Sequence, residues 1–339
     1  MSTLEQASAI TYRDALNAAM HRAMQTYPEA IVFGEDVAGP GGVFGVTRGL
    51  TDEFGDRVFD TPISETAMLG AALGAAMMGR RPIVEIMWAD FLFVGIDQLV
   101  NQAANVRWLT RGRTTAPFTV RTQQGSLTSS SAQHSRCVEA LLCHIPGLRV
   151  GLPSNPADAY TMLLAAIAND DPTILIEHRA IYDQRGEVDL EAEIPEIGGG
   201  RVVRSGSDVT IVALSRMVGV ALQAAELLAA EGIEAEVVDP RWLSPFDWDT
   251  VDASLAKTNR LVVVHEAVRT CGFGAEVAAQ AAERGFWHLD GPVVRVTAPD
   301  TPKPSAPTLE AVAIPDAERV ARGVRQALAG APDNEEESA

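Results

Sequence analysis

The sequence has little of what usually marks an active site. Its three cysteines, Cys137, Cys143 and Cys271, cannot all pair, and none sits in a CxxC motif. That composition points to a reducing compartment and excludes an iron–sulfur cluster held by this chain's cysteines alone. Six histidines are scattered without HExxH spacing, so no zinc protease site is expected. There is no GxSxG elbow and no Walker A loop, and the glycine-rich GPGGVFG does not have GxGxxG spacing. No apolar run reaches the ~18 residues of a membrane span. The opening MSTLEQASAITYRDAL has neither a charged n-region nor an apolar h-region. A cytoplasmic protein is therefore expected. Basic residues are also in deficit, 27 Lys and Arg against 45 Asp and Glu, giving a net charge of −18. This argues against nucleic acid and anionic membranes as partners and is compatible with a basic protein partner.

Aromatics are only 6% of a chain that is 47% hydrophobic, so the core must be built mainly from Ala, Val, Ile and Leu, as in α/β folds. Short apolar runs such as AIVFGED, RPIVEIMW, PFTVRT, LRVGLP and TILIEH alternate with helical patterns such as TYRDALNAAMHRAMQTY, FVGIDQLVNQAANVRWL and PADAYTMLLAAIAND. Another helix is expected from about Ala132. Continuous apolar strands separated by helices predict a parallel sheet covered on both faces. The polar, Gly- and Pro-containing YDQRGEVDLEAEIPEIGGG breaks this pattern. A second alternation follows, from DVTIVAL to a last helix around Pro315–Ala329. The expected organisation is an α/β domain over 1–185, a linker over 186–200, a second α/β domain over 201–330 and an acidic tail over 331–339.

One run carries chemistry: DTPISETAMLGAALGAAMMGRRPIVEIMWADF, residues 60–91. It puts a single carboxylate, Glu65, where a strand gives way to a helix of small apolar residues. Ala, Gly and Met on every face of that helix imply burial, including against a helix across an interface. Read from the residues alone, Glu65 is either an acid–base group or an acidic residue favoured by the helix N-terminus.

The run resembles the pyrimidine-binding domain of the β subunits of pyruvate, branched-chain 2-oxo acid and acetoin dehydrogenase complexes. The resemblance continues through GEDV (34–37), GGVFGVTRGL (41–50), DQLVNQAA (97–104), QHS (133–135), HIPGLRV (144–150), SNPADA (154–159), DDP (170–172) and EH (177–178). GSDVTIVALSRMV, EVVDPRWLSPFD, KTNRLVVVHEA, GFGAE and PDTPKP extend it into the second half, which is similar to the transketolase C-terminal domain. So many runs in order cover roughly residues 10–325 and imply a transketolase-like pyrimidine-binding domain followed by a transketolase C-terminal-like α/β domain.

The resemblance implies that Glu65 hydrogen-bonds a ring nitrogen of the aminopyrimidine of thiamine diphosphate. That contact promotes the imino tautomer, so that the cofactor itself removes the proton from its thiazolium carbon. It implies further that Ile63 packs against the cofactor, that Phe91 stacks on the pyrimidine, and that His134 serves acyl transfer or substrate positioning. Main-chain carbonyls of Phe118, Ala166, Ile167, Asn169 and Asp171 correspond to the family's potassium site. The loop before His134, TQQGSLTSSSA, departs from the glycine-rich or Tyr-Gly sequences of relatives.

Thiamine enzymes of this class hold the diphosphate and magnesium through a GDG motif, and this chain has none. The resemblance therefore implies an α subunit carrying that half, an α2β2 heterotetramer, and docking to a lipoyl acyltransferase. The expected activity is oxidative decarboxylation of a 2-oxo acid, pyruvate or branched-chain, with acyl transfer to lipoamide. An acetoin dehydrogenase β subunit is the alternative within enzymes; a non-catalytic scaffold subunit is the alternative outside them. A ferredoxin-linked oxidoreductase would require cluster cysteines.

Overall fold

The computed structural model describes residues 8–330; the acidic tail expected at 331–339 lies outside them. The chain divides into two compact units that are not contiguous in sequence. Unit 1 comprises the chain up to Gln124 together with Leu142–Ile197, and unit 2 comprises Gly125–Leu141 together with the chain from Gly198.

In unit 1, six strands lie side by side in the order Arg149–Gly151, Thr173–His178, Thr119–Gln124, Arg81–Ile86, Ala30–Gly34 and Val58–Asp60. All neighbouring pairs are parallel. The two central strands Thr173–His178 and Thr119–Gln124 are buried at every position. Two helices pack against each other: Tyr12–Thr26, capped by the Thr11 hydroxyl, and Pro156–Ala168, capped by Asn155 with proline in its first turn. Their apolar positions recur at helical spacing, as in Tyr12, Ala15, Leu16, Ala19 and Ala23, and these bury one face.

The segment expected as a linker, 186–200, is not free-standing. Arg185–Val188 pairs antiparallel with Ser8–Thr11, and unit 1 continues to Ile197. Its polar composition is that of a two-stranded ribbon exposed on one side, where Val188 is buried while Arg185 and Glu187 face water. Two expected helices also differ. The stretch 93–109 is a succession of short turns of different pitch ending in the single helical turn Val106–Leu109. In place of a helix from Ala132, only Glu139–Cys143 is helical, because 125–138 run as a loop that belongs to unit 2.

Unit 2 has its own five-stranded sheet, in the order Val294–Ala298, Leu261–Val268, Val209–Ala213, Ala235–Asp239 and Arg201–Arg204, with only the last strand antiparallel. Strand alternation sorts its faces. Val209, Ile211 and Ala213 join the apolar cluster formed with the helices Met217–Ala229 and Ala317–Leu328. Thr210 points the other way, and its hydroxyl bonds those of Ser254 at 2.9 Å and Thr258 at 2.7 Å on the helix Trp248–Thr258.

Candidate active site

Glu65 opens the helix Glu65–Met77, four residues beyond Thr61, where the chain leaves the C-terminal end of the strand Val58–Asp60. That is the end of a parallel sheet at which ligands bind. Only 6% of Glu65 is exposed, and its carboxyl makes no side-chain hydrogen bond among the described residues. The helix start is fixed by the neighbouring chain. A Cβ on Gly95 would come within 2.8 Å of the Glu65 carbonyl oxygen and 2.6 Å of Leu69, and Thr66 donates to the Val94 carbonyl at 2.7 Å. Any larger residue at 95 would displace the turn that carries Glu65.

A second carboxylate, Glu35, stands beside it. Glu35 follows the strand Ala30–Gly34, and its buried Oε1 has no hydrogen-bond partner. Burial raises its pKa, and the charges of Glu65, Asp36 and Glu85 raise it further. The GEDV run was visible in the sequence. Nothing local in that run distinguishes its glutamate, at a strand end, from a surface acid.

Behind the strand ends lies a buried ion network. Arg121 is fully buried and binds both Glu85 and Glu177, Gln123 donates to Glu85, and the Tyr182 hydroxyl donates to Glu177. Burial works against the Arg121 charge, but Glu177 and Glu85 outweigh it and hold its pKa above the ordinary value. Aromatic rings close over this network: Tyr12 stacks on Tyr182, Phe44 meets Tyr182 edge-on at 5.2 Å, and Trp88 packs on Phe44 beneath the Arg179 guanidinium.

The other expected site residues fall into separate groups. Phe91 lies half-buried in the turn Ala89–Phe93, and Ile63, just before Glu65, is 76% exposed. These three belong to unit 1, whereas half-buried His134 belongs to unit 2. One face of the helix Glu65–Met77 packs inward through Met68, Leu69, Ala72, Leu73 and Ala76, while Ala67, Ala71, Gly74 and Met77 face outward. Met78, which follows the helix, is 84% exposed. The burial on every face expected from composition is thus half realised within the chain.

The carbonyls expected to hold potassium are all engaged. Phe118 accepts from the Thr173 amide at 3.1 Å and Ala166 from the Asn169 amide at 3.3 Å. Ile167 and Asn169 accept from Arg81 Nη1 at 2.7 and 2.9 Å, and Asp171 accepts from the Thr173 hydroxyl at 3.0 Å. Arg81 thus places a guanidinium beside this cluster, and each carbonyl oxygen keeps a second lone pair.

Glu65 is thus a buried carboxyl without a side-chain hydrogen bond among the described residues, at the C-terminal edge of a parallel sheet in a chain of two α/β units, and the fold is transketolase-like. The model of the transketolase pyrimidine-binding domain matches residues 8–184, and that of the transketolase C-terminal domain matches residues 198–320. The chain is 44% identical to the acetoin:2,6-dichlorophenolindophenol oxidoreductase subunit beta of Bacillus subtilis, over 93% of this chain and 96% of that one. It is 45% identical to the pyruvate dehydrogenase E1 component subunit beta of Leifsonia xyli, over 93% of this chain and 94% of that one. Among solved structures, one described as a split gene transketolase, inactive beta4 tetramer, superposes with a TM-score of 0.79 at 25% identity, covering 96% of this chain and all of that one. The chain belongs to the transketolase-like family of β subunits of 2-oxo acid dehydrogenase E1 components.

Proposed function

We propose that the chain is the β subunit of a thiamine-diphosphate-dependent dehydrogenase that decarboxylates a 2-oxo acid and passes the acyl group to lipoamide. The observation that carries this reading is Glu65: a buried carboxyl with no side-chain hydrogen bond among the described residues, at the start of a helix and beside a second carboxylate. Such a group fits the ring nitrogen of an aminopyrimidine, to which it can donate a proton. The cofactor, when bound, supplies a thiazolium carbon acid and an electron sink for decarboxylation. Glu65 would hold the proton at the pyrimidine edge, and Glu35, with its pKa raised by burial and neighbouring charge, would limit the negative charge around it. Phe91 and Ile63 would pack against the cofactor, and His134 would serve the acyl-transfer half-reaction.

An α subunit would carry the diphosphate and magnesium, since the chain lacks a GDG motif. The outward apolar surface supports such a partner. Besides Ile63 and Met78, Trp108 is 83% exposed at the rim of a cavity of about 1080 Å³, lined also by Ala104, Leu109 and Pro146. We place the protein in the cytoplasm as an α2β2 assembly, with a lipoyl acyltransferase as its further partner. The relative named for acetoin, at 44% identity, supports a second reading in which acetoin is cleaved by the same machinery. Assays of the α/β complex on pyruvate, branched-chain 2-oxo acids and acetoin separate the two.

The deciding experiment is Glu65→Gln in the α/β complex. Gln keeps the size but has no carboxyl proton to give, so hydrogen–deuterium exchange at the thiazolium carbon should slow ~10²–10⁴-fold. Exchange at the wild-type rate would make Glu65 a helix-terminal residue without a catalytic role.

A further inference from the structure

The loop that leads to His134 is held by two carboxylates far from it in sequence. Oε1 of Glu266, a buried residue on the strand Leu261–Val268, accepts the Ser126 amide at 2.6 Å. Oε2 of Glu310, a buried residue on the helix Pro307–Ala313, accepts the Ser129 amide at 3.0 Å. Glu266 is fixed from behind. Arg216 approaches the Glu266 carboxylate at 3.6 Å, and buried Lys303 donates to the Glu266 carbonyl at 3.1 Å. The loop needs such support. Ser129 and Ser131 both have left-handed backbones, with φ of 66° and 65°, which non-glycine residues rarely adopt. Turn bonds from the Ser130 amide to Leu127 and from the His134 amide to Ser131 carry the constraint on to His134. Among the described residues this accounts for why 125–141 cluster with unit 2, although the strand just before them belongs to unit 1.

We propose that Glu266 and Glu310 are positioning residues, whose charged hydrogen bonds to the Ser126 and Ser129 amides set the loop that presents His134. The functional half of this proposal rests on the role given to His134 above. Two anions on the Ser126 and Ser129 amides thereby let a serine-rich sequence hold one conformation.

The test uses Glu266→Gln, Glu310→Gln and the double variant in the α/β complex. Amide hydrogen exchange of the peptide spanning 125–134 should quicken about tenfold in each single variant, and more in the double one. Acyl transfer should slow in the same order. Hydrogen–deuterium exchange at the thiazolium carbon, which reports on Glu65, should stay at the wild-type rate. A general loss of folding would change all three readouts together and would overturn the positioning role, as would unchanged loop exchange. Faster loop exchange with undiminished acyl transfer also overturns it. His134→Ala, run in parallel, tests the underlying reading separately: undiminished acyl transfer there sinks the role of His134, whatever the two glutamate variants do to the loop.

Discussion

Arg121 closes a two-pronged pair on Glu177, Nε to Oε1 at 2.7 Å and Nη2 to Oε2 at 2.9 Å, while its Nη1 reaches Glu85 at 2.6 Å. All three residues lie on adjacent parallel strands, two of them the neighbours Arg81–Ile86 and Thr119–Gln124. Removing the cation leaves two carboxylates buried without their partner. Arg121→Met should therefore destabilise unit 1 by about 3–5 kcal/mol, read from urea unfolding. Little change would mean that water or rearrangement compensates.

Arg81 plays a comparable part at the opposite end of its strand. It joins the carbonyls of Ile167 and Asn169 to the carboxylate of Asp170, at 3.1 Å, and lies over the Tyr27 ring. Arg81→Gln can replace only part of this, and a loss of about 1–3 kcal/mol is expected. Thermal unfolding measures it.

Glu35 gives a pH-dependent prediction. Its pKa is raised in the folded chain, so the proton is held more tightly folded than unfolded. The favourable contribution is full below the unfolded pKa and is lost as pH rises through the folded one. Glu35→Gln, neutral at every pH, should thus be at least as stable as wild type at pH 7. That advantage should shrink toward pH 4. Urea midpoints at the two pH values check the sign, and a variant less stable at pH 7 than wild type contradicts it.

His265 titrates in the opposite sense. It is fully buried, neither ring nitrogen has a hydrogen-bond partner, and Gly272 and Gly274 pack against the ring. Burial, followed by the charges of Arg295, Lys303 and Arg269, lowers its pKa to about 3. The neutral form contributes stability that is fully present above the unfolded value near 6.5 and falls away toward pH 3. NMR should find the imidazole neutral at pH 5, and the acid-side slope of stability should flatten in His265→Asn.

The sequence made the sheets legible because buried parallel strands are continuous apolar runs: TILIEH and RPIVEI appear in the structure as Thr173–His178 and Arg81–Ile86. Glu65 was legible because of the small-residue helix behind it. Other features were hidden for physical reasons. The Arg121 network is assembled across strands far apart in sequence, and each member alone reads as an ordinary charged residue. The helical periodicity of 93–109 is real, but close packing of Gly95 on the Glu65 turn goes with turns of changing pitch there. The anchors of the His134 loop lie 140 and 181 residues from the amides they bind, beyond the reach of any local pattern.

Those separations also set an order of events on the ribosome. At ~5–20 residues per second, Ser126 and Ser129 are made about 7 to 36 seconds before Glu266 and Glu310 exist. During that interval unit 1 can assemble its six parallel strands, while the loop lacks these two acceptors. A chain cut between Ile197 and Gly198 would leave this loop permanently in that waiting state, and would deprive the downstream fragment of a piece of its own domain. The two halves recognised by family models are therefore poor choices for separate expression, because neither coincides with a unit the chain actually builds.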